Sequence, residues 1–190
     1  WERGNMRTLK YAILGLLNQR EMSGYELMKQ FESGLNEFWS AKHSQIYPEL
    51  AKLTEEGSVA YQVQISGSVL QKKVYSVTET GRKDFLAWLE QDVKMEPPPK
   101  EVFRLKLFFA NCLDAGTLLA NLESQLRQHE ERLAHLKNNR KKFTDVPPAD
   151  SEGFGDYLVL MGAVMREEMS CEWLKKCLEL CRKEERKSEA

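Results

Sequence analysis

Hydrophobic residues recur at three- and four-residue spacing near the start of the chain, a pattern that predicts short helices. Leu9 and Ile13 share one face of a first helix. Ser23 and Glu26 are spaced as a capping box, which satisfies free backbone N–H groups at a helix start. We therefore expect a second helix over residues 24–31.

A third helix combines a clear apolar face with a proline. Ile46 and Leu50 lie on one face, and Gly57 is suited to end the helix. Pro48 lacks an N–H and fits without cost only in a first helical turn. The helix therefore either begins near Ser44 or bends, and the sequence leaves both alternatives open.

From residue 59 the hydrophobic period changes from helical to two. Apolar side chains alternate with polar or small ones over 59–65 and again over 73–77, which predicts two strands. Residues 66–68, Ser-Gly-Ser, supply a turn between them. Thr78 can cap a fourth helix. Three short helices, a hairpin and a closing helix describe a winged helix-turn-helix.

A proline-rich stretch divides the chain. Residues 95–100 contain three consecutive prolines, which cannot donate backbone hydrogen bonds and so indicate a stiff linker. We therefore predict a winged helix over 6–94 and a separate region over 101–190.

The second region has helical patterns throughout. Residues 101–111 are apolar on most of their surface, which predicts a helix covered on several sides. Residues 115–143 contain a heptad seam of Leu119, Leu122, Leu126, His129, Leu133 and Leu136. At 1.5 Å per residue this helix would be roughly 40 Å long, more than a small domain covers alone. We expect the seam to pack on a last helix over 157–186 and on a second chain.

Charge and hydropathy narrow the class of protein. The 190 residues carry 28 basic and 29 acidic side chains, so a phosphate-binding surface would have to be a local patch. The apolar stretches fall far short of the roughly 20 residues that cross a bilayer, and no secretory signal pattern is present. These observations predict a cytoplasmic protein without a membrane partner.

Five motifs occur in an order and spacing that resemble the PadR family of bacterial transcriptional regulators. They are LKYAILGLL at 9–17, SGYEL at 23–27, SQIYPEL at 44–50, EEG at 55–57 and KVYSVTETG at 73–81. The second region, with its long helix and Trp173-Leu174, is similar to the helical C-terminal domain of the longer subclass related to the AphA virulence activator. The resemblance implies a mainly α fold, with an N-terminal winged helix of three helices and a hairpin wing, followed by an all-α dimerisation domain.

The resemblance also implies a sequence-specific DNA-binding regulator, which we expect to be a repressor acting as a homodimer on a palindromic operator. Two half-sites multiply the discrimination that one recognition helix achieves. In the third helix Gln45 can pair with adenine, and hydroxyls and lysines can contact phosphates. The expected DNA-binding residues are Lys42, His43, Ser44, Gln45, Tyr47 and Lys52, with Lys72 and Lys73 on the wing. The alternative is that Tyr47 packs inside and the lysines are only solvated.

Three aromatic residues are candidates for an effector pocket. Many PadR-like proteins respond to small aromatic molecules, and Trp39, Trp88 and Phe103 could line an apolar pocket for such a molecule between the two halves of the chain. The alternative for each of these side chains is ordinary core packing.

No motif indicates catalysis, a cofactor or a metal. The chain has no Gly-rich phosphate loop, no Gly-x-Ser-x-Gly and no His-Glu-x-x-His, so we expect no enzyme. Cys177 and Cys181 lie one helical turn apart, which leaves a thiol- or metal-responsive regulator as an alternative. A winged-helix adaptor that binds protein instead of DNA is another, and the near-neutral charge favours it.

Overall fold

The structure is a computed structural model, which describes residues 7–33, 35, 38–39, 41–66 and 70–188. The chain divides between Glu96 and Pro97 into two compact units. We call the described residues up to 96 unit 1 and those from 97 unit 2. Each unit has its own hydrophobic clusters and is considered by itself.

Unit 1 contains the elements that the hydrophobic pattern predicts. They are α1 (Thr8–Gln19), β1 (Met22–Ser23), α2 (Gly24–Ser33), α3 (His43–Glu55), β2 (Val59–Ser66), β3 (Leu70–Val77) and α4 (Glu79–Leu89). Strand β1 is an addition to the prediction, because two residues are too few to produce an alternating pattern. The predicted turn at 66–68 falls largely on 67–69, which lie outside the described residues.

Helix α3 begins near Ser44, yet Pro48 lies beyond its first turn. The helix begins at His43, one residue before Ser44, and Lys42 is its N-cap residue. Pro48 is retained inside the helix. Its missing N–H removes one intrahelical bond, and the apolar face packed on the core compensates for that loss.

The core of unit 1 lies between the helices and a small antiparallel sheet. The sheet has the order β1-β3-β2, and Tyr75 of β3 is paired with Met22 on one side and with Tyr61 on the other. The buried side chains are Ile13, Leu14, Leu17, Met22, Leu27, Phe31, Ile46, Leu50, Leu53, Val59 and Tyr75. Gly57 ends α3 with a φ of 71°, a conformation that glycine adopts without strain.

Helix α4 closes unit 1 against α1. The Thr78 hydroxyl accepts a hydrogen bond from the Gly81 N–H at 3.1 Å, as the predicted cap requires, and donates to the Gly57 carbonyl at 2.7 Å. Tyr11 and Trp88 stack in parallel with ring centroids 4.6 Å apart. These contacts join the end of the hairpin to the helical layer.

Unit 2 is entirely helical in its regular structure. It contains α5 (Val102–Phe108), a short 3₁₀ turn (Ala110–Cys112), α6 (Ala115–Arg140) and α7 (Glu152–Ser188). Asp114 caps α6 by accepting from the Thr117 N–H at 2.8 Å. In the single chain Val102, Leu105 and Phe108 are exposed and one side of α5 packs inward, so the coverage of the 101–111 segment on several sides stays a prediction.

The heptad seam of α6 packs on α7 of the same chain. Two apolar clusters form this contact, one around Leu122 and Leu174 and the other around Leu136 and Val164. Ion pairs run along its edge, including Arg182–Glu123 and Lys175–Glu130, each at 2.8 Å. The seam is therefore an intramolecular helix hairpin, as the prediction of a partner helix requires.

Candidate nucleic-acid interface

Helix α3 separates its buried and exposed sides sharply. Ile46 and Leu50 are completely buried, whereas Ser44 and Lys52 are exposed and Tyr47 is 51% exposed. Because the apolar side is anchored in the core, the polar side is held in one orientation towards solvent. This is the arrangement that lets a helix enter a DNA groove, and Tyr47 does not pack inside the core.

Gln45 has a local hydrogen-bonding partner at the start of α3. Its Oε1 accepts from the Lys42 backbone N–H at 3.3 Å, and its own backbone N–H donates to the Lys42 carbonyl at 2.9 Å. Bidentate pairing with adenine needs both the carbonyl and the amide group of the side chain. Its Oε1 has a second lone pair and its amide group is a separate donor, so Gln45 can pair with adenine while it caps α3.

Tyr47 connects α3 to α2 and to the wing, the β2–β3 hairpin. Its ring lies directly on Gly24, where a Cβ would come within 2.5 Å of Cε1. Burial raises the pKa of Tyr75, a residue of the wing strand β3, and the Tyr61 ring lies 5.6 Å from the Tyr75 ring. The Lys73 ammonium sits 4.1 Å from the centroid of Tyr61. Aromatic side chains thus extend from α3 to the wing.

The two wing lysines have different surroundings. Lys73 is exposed and stacks on Tyr61, whereas Lys72 pairs with Glu26 of α2, Nζ to Oε2, at 3.2 Å. The same Oε2 accepts from the Ser23 hydroxyl at 2.6 Å and from the Ser23 backbone N–H at 2.7 Å. These hydrogen bonds, with a smaller contribution from Lys72, lower the pKa of Glu26 to about 2. The carboxylate is therefore ionised at neutral pH.

Acidic residues of α3 are neutralised on the side that faces α1. Glu49 pairs with Arg7 at 2.5 Å, and Glu56 pairs with Arg7 and, at 3.8 Å, with Lys10. Lys10 also pairs with Asp84 at 2.6 Å. The near-zero net charge of the chain is thus an average that does not describe the exposed side of α3.

Sequence reasoning missed three side chains beside this surface. Tyr25 of α2 is 58% exposed with the Lys29 ammonium 4.8 Å from its ring, and Tyr61 is exposed on β2. The sequence offers a signal for both tyrosines: Tyr25 lies off the apolar face of its helix, and Tyr61 occupies the strand position opposite Tyr75. Lys42 is exposed as expected, and the side chain of His43 lies outside the described part of the chain.

Two of the three predicted pocket residues line one cavity in unit 1. The cavity has a volume of about 430 Å³, and its aromatic walls are Tyr11, Phe38, Trp39, Phe85 and Trp88. Phe103 is not among its lining residues. It belongs to unit 2, where its ring meets Trp173 edge-on at 6.3 Å.

The predicted dimerisation residues lie along the α6–α7 contact. Leu122 and Leu136 are completely buried within one chain, and Leu119, Leu126 and Leu133 pack partly buried beside them. His129 contacts Glu167 of α7, Nδ1 to Oε2, at 2.5 Å. Completely buried side chains cannot contact a second chain, so Leu122 and Leu136 stabilise the fold of unit 2 instead.

The four cysteines are free thiols. Burial raises the pKa of Cys171 and of Cys177, which lowers the thiolate fraction that redox chemistry needs. Within the described ranges, no three His, Cys, Asp or Glu side chains come together as a metal site would require. The described helices likewise include none with the length and hydropathy of a membrane span.

A winged helix with an anchored, outward-facing α3, followed by an all-α unit, defines a class of transcriptional regulators. Family models match both parts: residues 13–87 match the transcriptional regulator PadR-like family, and residues 99–182 match the virulence activator alpha C-terminal family. The chain belongs to the PadR-like family of transcriptional regulators, and so is not an enzyme. The resemblance drawn from the five motifs is confirmed.

Relatives extend the similarity over nearly the whole chain. The chain is 39% identical over 182 residues to the negative transcriptional regulator PadR of Bacillus subtilis (strain 168), covering 94% of this chain and 100% of the relative. The crystal structure of Bacillus subtilis PadR in complex with operator DNA is similar with a TM-score of 0.86 and 38% identity, covering 92% and 99% of the two chains. The crystal structure of the same Bacillus subtilis protein in complex with p-coumaric acid is similar with a TM-score of 0.82 and 37% identity. The match covers 92% of this chain and 98% of that chain.

Proposed function

We propose that this protein is a transcriptional repressor that binds double-stranded operator DNA through α3 and the wing. The observation that carries the proposal is the exposed polar side of α3, which is fixed by complete burial of Ile46 and Leu50. The operator complex of the Bacillus subtilis relative and its name as a negative regulator support both the partner and the sign of regulation. Because the proposed partner is operator DNA, we propose that the protein acts in the cytoplasm.

The proposed contacts follow from the geometry of the surface. Ser44 and Tyr47 face outward from the first turns of α3 and supply hydroxyl donors for base edges or phosphates. Lys42, Lys52 and Lys73 supply positive charge for the phosphate backbone. Gln45 supplies an acceptor and a donor for a base edge, and its bond to the Lys42 N–H holds the side chain at the start of α3.

The salt dependence of DNA binding distinguishes a DNA-binding regulator from a winged-helix adaptor that binds protein. Binding of fluorescently labelled fragments of the protein's own promoter should be measured by anisotropy over a range of salt concentrations. A DNA-binding regulator loses affinity steeply as salt rises, because phosphate contacts release counterions. Absence of binding at low salt would contradict the proposal and favour the adaptor.

We further propose that a homodimer forms through surfaces of unit 2 that its own core leaves exposed. Leu158, Met165 and Met169 occupy one side of α7 at spacings of seven and four residues, and all three are exposed. Val102 and Phe108 of α5 are also exposed, Phe108 by 80%. Apolar side chains clustered in this way favour association with a second copy, which would pair two α3 helices on a palindromic site.

The aromatic cavity of unit 1 is the proposed effector site. Its volume of about 430 Å³ and its ring-lined walls suit a small planar molecule. The complex of the Bacillus subtilis relative with p-coumaric acid supports an aromatic acid as the class of ligand. Thermal-shift measurements with phenolic acids test this assignment, and the absence of a shift at millimolar ligand would contradict it.

A further inference from the structure

The ion pair between Lys72 and Glu26 places a negative charge beside the DNA-binding surface. Lys72 lies on the wing strand β3, and its Nζ is 3.2 Å from Glu26 Oε2. Lys73, the next residue, has its ammonium over the Tyr61 ring instead of a carboxylate. The ammonium group of Lys72 therefore lies beside a negative charge, whereas that of the adjacent Lys73 lies over an uncharged ring.

Glu26 is held in place independently of Lys72. Two hydrogen bonds from Ser23, one from its backbone N–H and one from its hydroxyl, fix Oε2 at the start of α2. A carboxylate held in this way cannot swing away when a phosphate approaches the wing. Lys72 therefore reaches a phosphate either by giving up its ion pair with Glu26 or with that negative charge beside it.

We infer that Glu26 withholds Lys72 from DNA phosphates and thereby limits the affinity of the protein for DNA of any sequence. The contact concerned is with the phosphate backbone, so it carries no base preference. Weaker contact with the DNA phosphate backbone lowers the affinity for non-specific DNA. The base contacts from α3 then account for a larger share of the binding free energy. Glu26 is on this account a specificity-determining residue, and the inference rests on the proposed DNA-binding function.

A double-mutant cycle tests the coupling between the two side chains. Glu26→Gln keeps an acceptor for Ser23 but removes the charge. It should tighten binding to a non-specific duplex roughly two- to fivefold at low salt, as expected for one exposed ion pair. It should also steepen the slope of log affinity against log salt by about 0.9, the value of one added phosphate contact. Lys72→Gln should then lower affinity more in the Glu26→Gln background than in the unaltered protein.

Lys73→Gln is the matched control, because Lys73 does not contact Glu26. It should lower affinity by the same factor in both backgrounds. In the otherwise unaltered protein, Lys72→Gln should cost less affinity than Lys73→Gln, a comparison that holds even if Glu26→Gln fails to fold. Unchanged affinity and slope in Glu26→Gln, or equal losses from the two lysine variants, would overturn the inference. Absence of DNA binding by the unaltered protein would instead overturn the proposed function.

Discussion

The ring of Tyr47 rests against the α-carbon of Gly24, so closely that a Cβ at position 24 would lie 2.5 Å from the ring. This contact joins the exposed side of α3 to the first residue of α2. It depends on the absence of a side chain at position 24, and it orients the largest exposed group on the proposed DNA-binding surface.

Gly24→Ala should therefore displace Tyr47 without unfolding unit 1. The added methyl group must push the ring away, and because Tyr47 is half exposed the ring can move into solvent. We expect operator affinity to fall about tenfold, which corresponds to about 1.4 kcal/mol, when measured by anisotropy. Gly155→Ala is the control, since a Cβ there meets nothing within 4 Å. Equal affinities of the two variants would contradict an orienting role for the contact.

The exposed side of α7 should determine the oligomeric state. Replacing both Met165 and Met169 by Glu places charges in the proposed interface and should convert the dimer to a monomer in light scattering. Far-ultraviolet circular dichroism should remain unchanged, because both side chains are exposed in the single chain. Replacing Val93 and Met95, which are both exposed, by Glu introduces the same two charges and should leave the dimer intact. A double variant that remains dimeric would place the interface elsewhere.

Leu122 should contribute to folding and not to association. It is completely buried between α6 and α7, so Leu122→Ala should lower the free energy of unfolding of unit 2 by about 2–5 kcal/mol. Urea denaturation of the full chain measures this loss, and Leu119→Ala, at a partly buried position, should cost less. A large change in dimer dissociation with little change in stability would contradict the assignment.

Trp88 should report occupancy of the aromatic cavity. A phenolic acid bound between Trp88 and Trp39 should change tryptophan fluorescence. Trp88→Leu should reduce this change and lower the affinity for the ligand by at least about tenfold. Trp173→Phe is the control, because Trp173 lies in unit 2, outside the cavity lining. Loss of the response in Trp173→Phe with retention in Trp88→Leu would contradict the site.

The sequence predicts the local structure of unit 1 well because its signals are local. Helical spacing, the Ser23–Glu26 capping box and the Thr78 cap each involve residues a few positions apart, and each is present in the structure. Strand β1 escapes prediction because it is defined only by pairing with β3, far along the chain.

Long-range charge pairing accounts for what could not be predicted in the candidate site. Lys72 looks like a free wing cation in the sequence, but folding brings it to Glu26 on another element. Similarly, the heptad seam predicts that α6 has an apolar partner without specifying which chain supplies it. In the structure α7 of the same chain covers Leu122 and Leu136, so these two side chains belong to the contact within the chain.

On the proposed function, the exposed side of α3 binds operator DNA. Its most direct test is a gel-shift titration of the protein's own promoter fragments with the unaltered protein and with a Gln45→Ala, Tyr47→Ala double variant. Both residues are exposed, so the variant should retain its fold by circular dichroism while its affinity falls at least about a hundredfold, near 2.7 kcal/mol. Equal affinity of a folded double variant and the unaltered protein would contradict the claim.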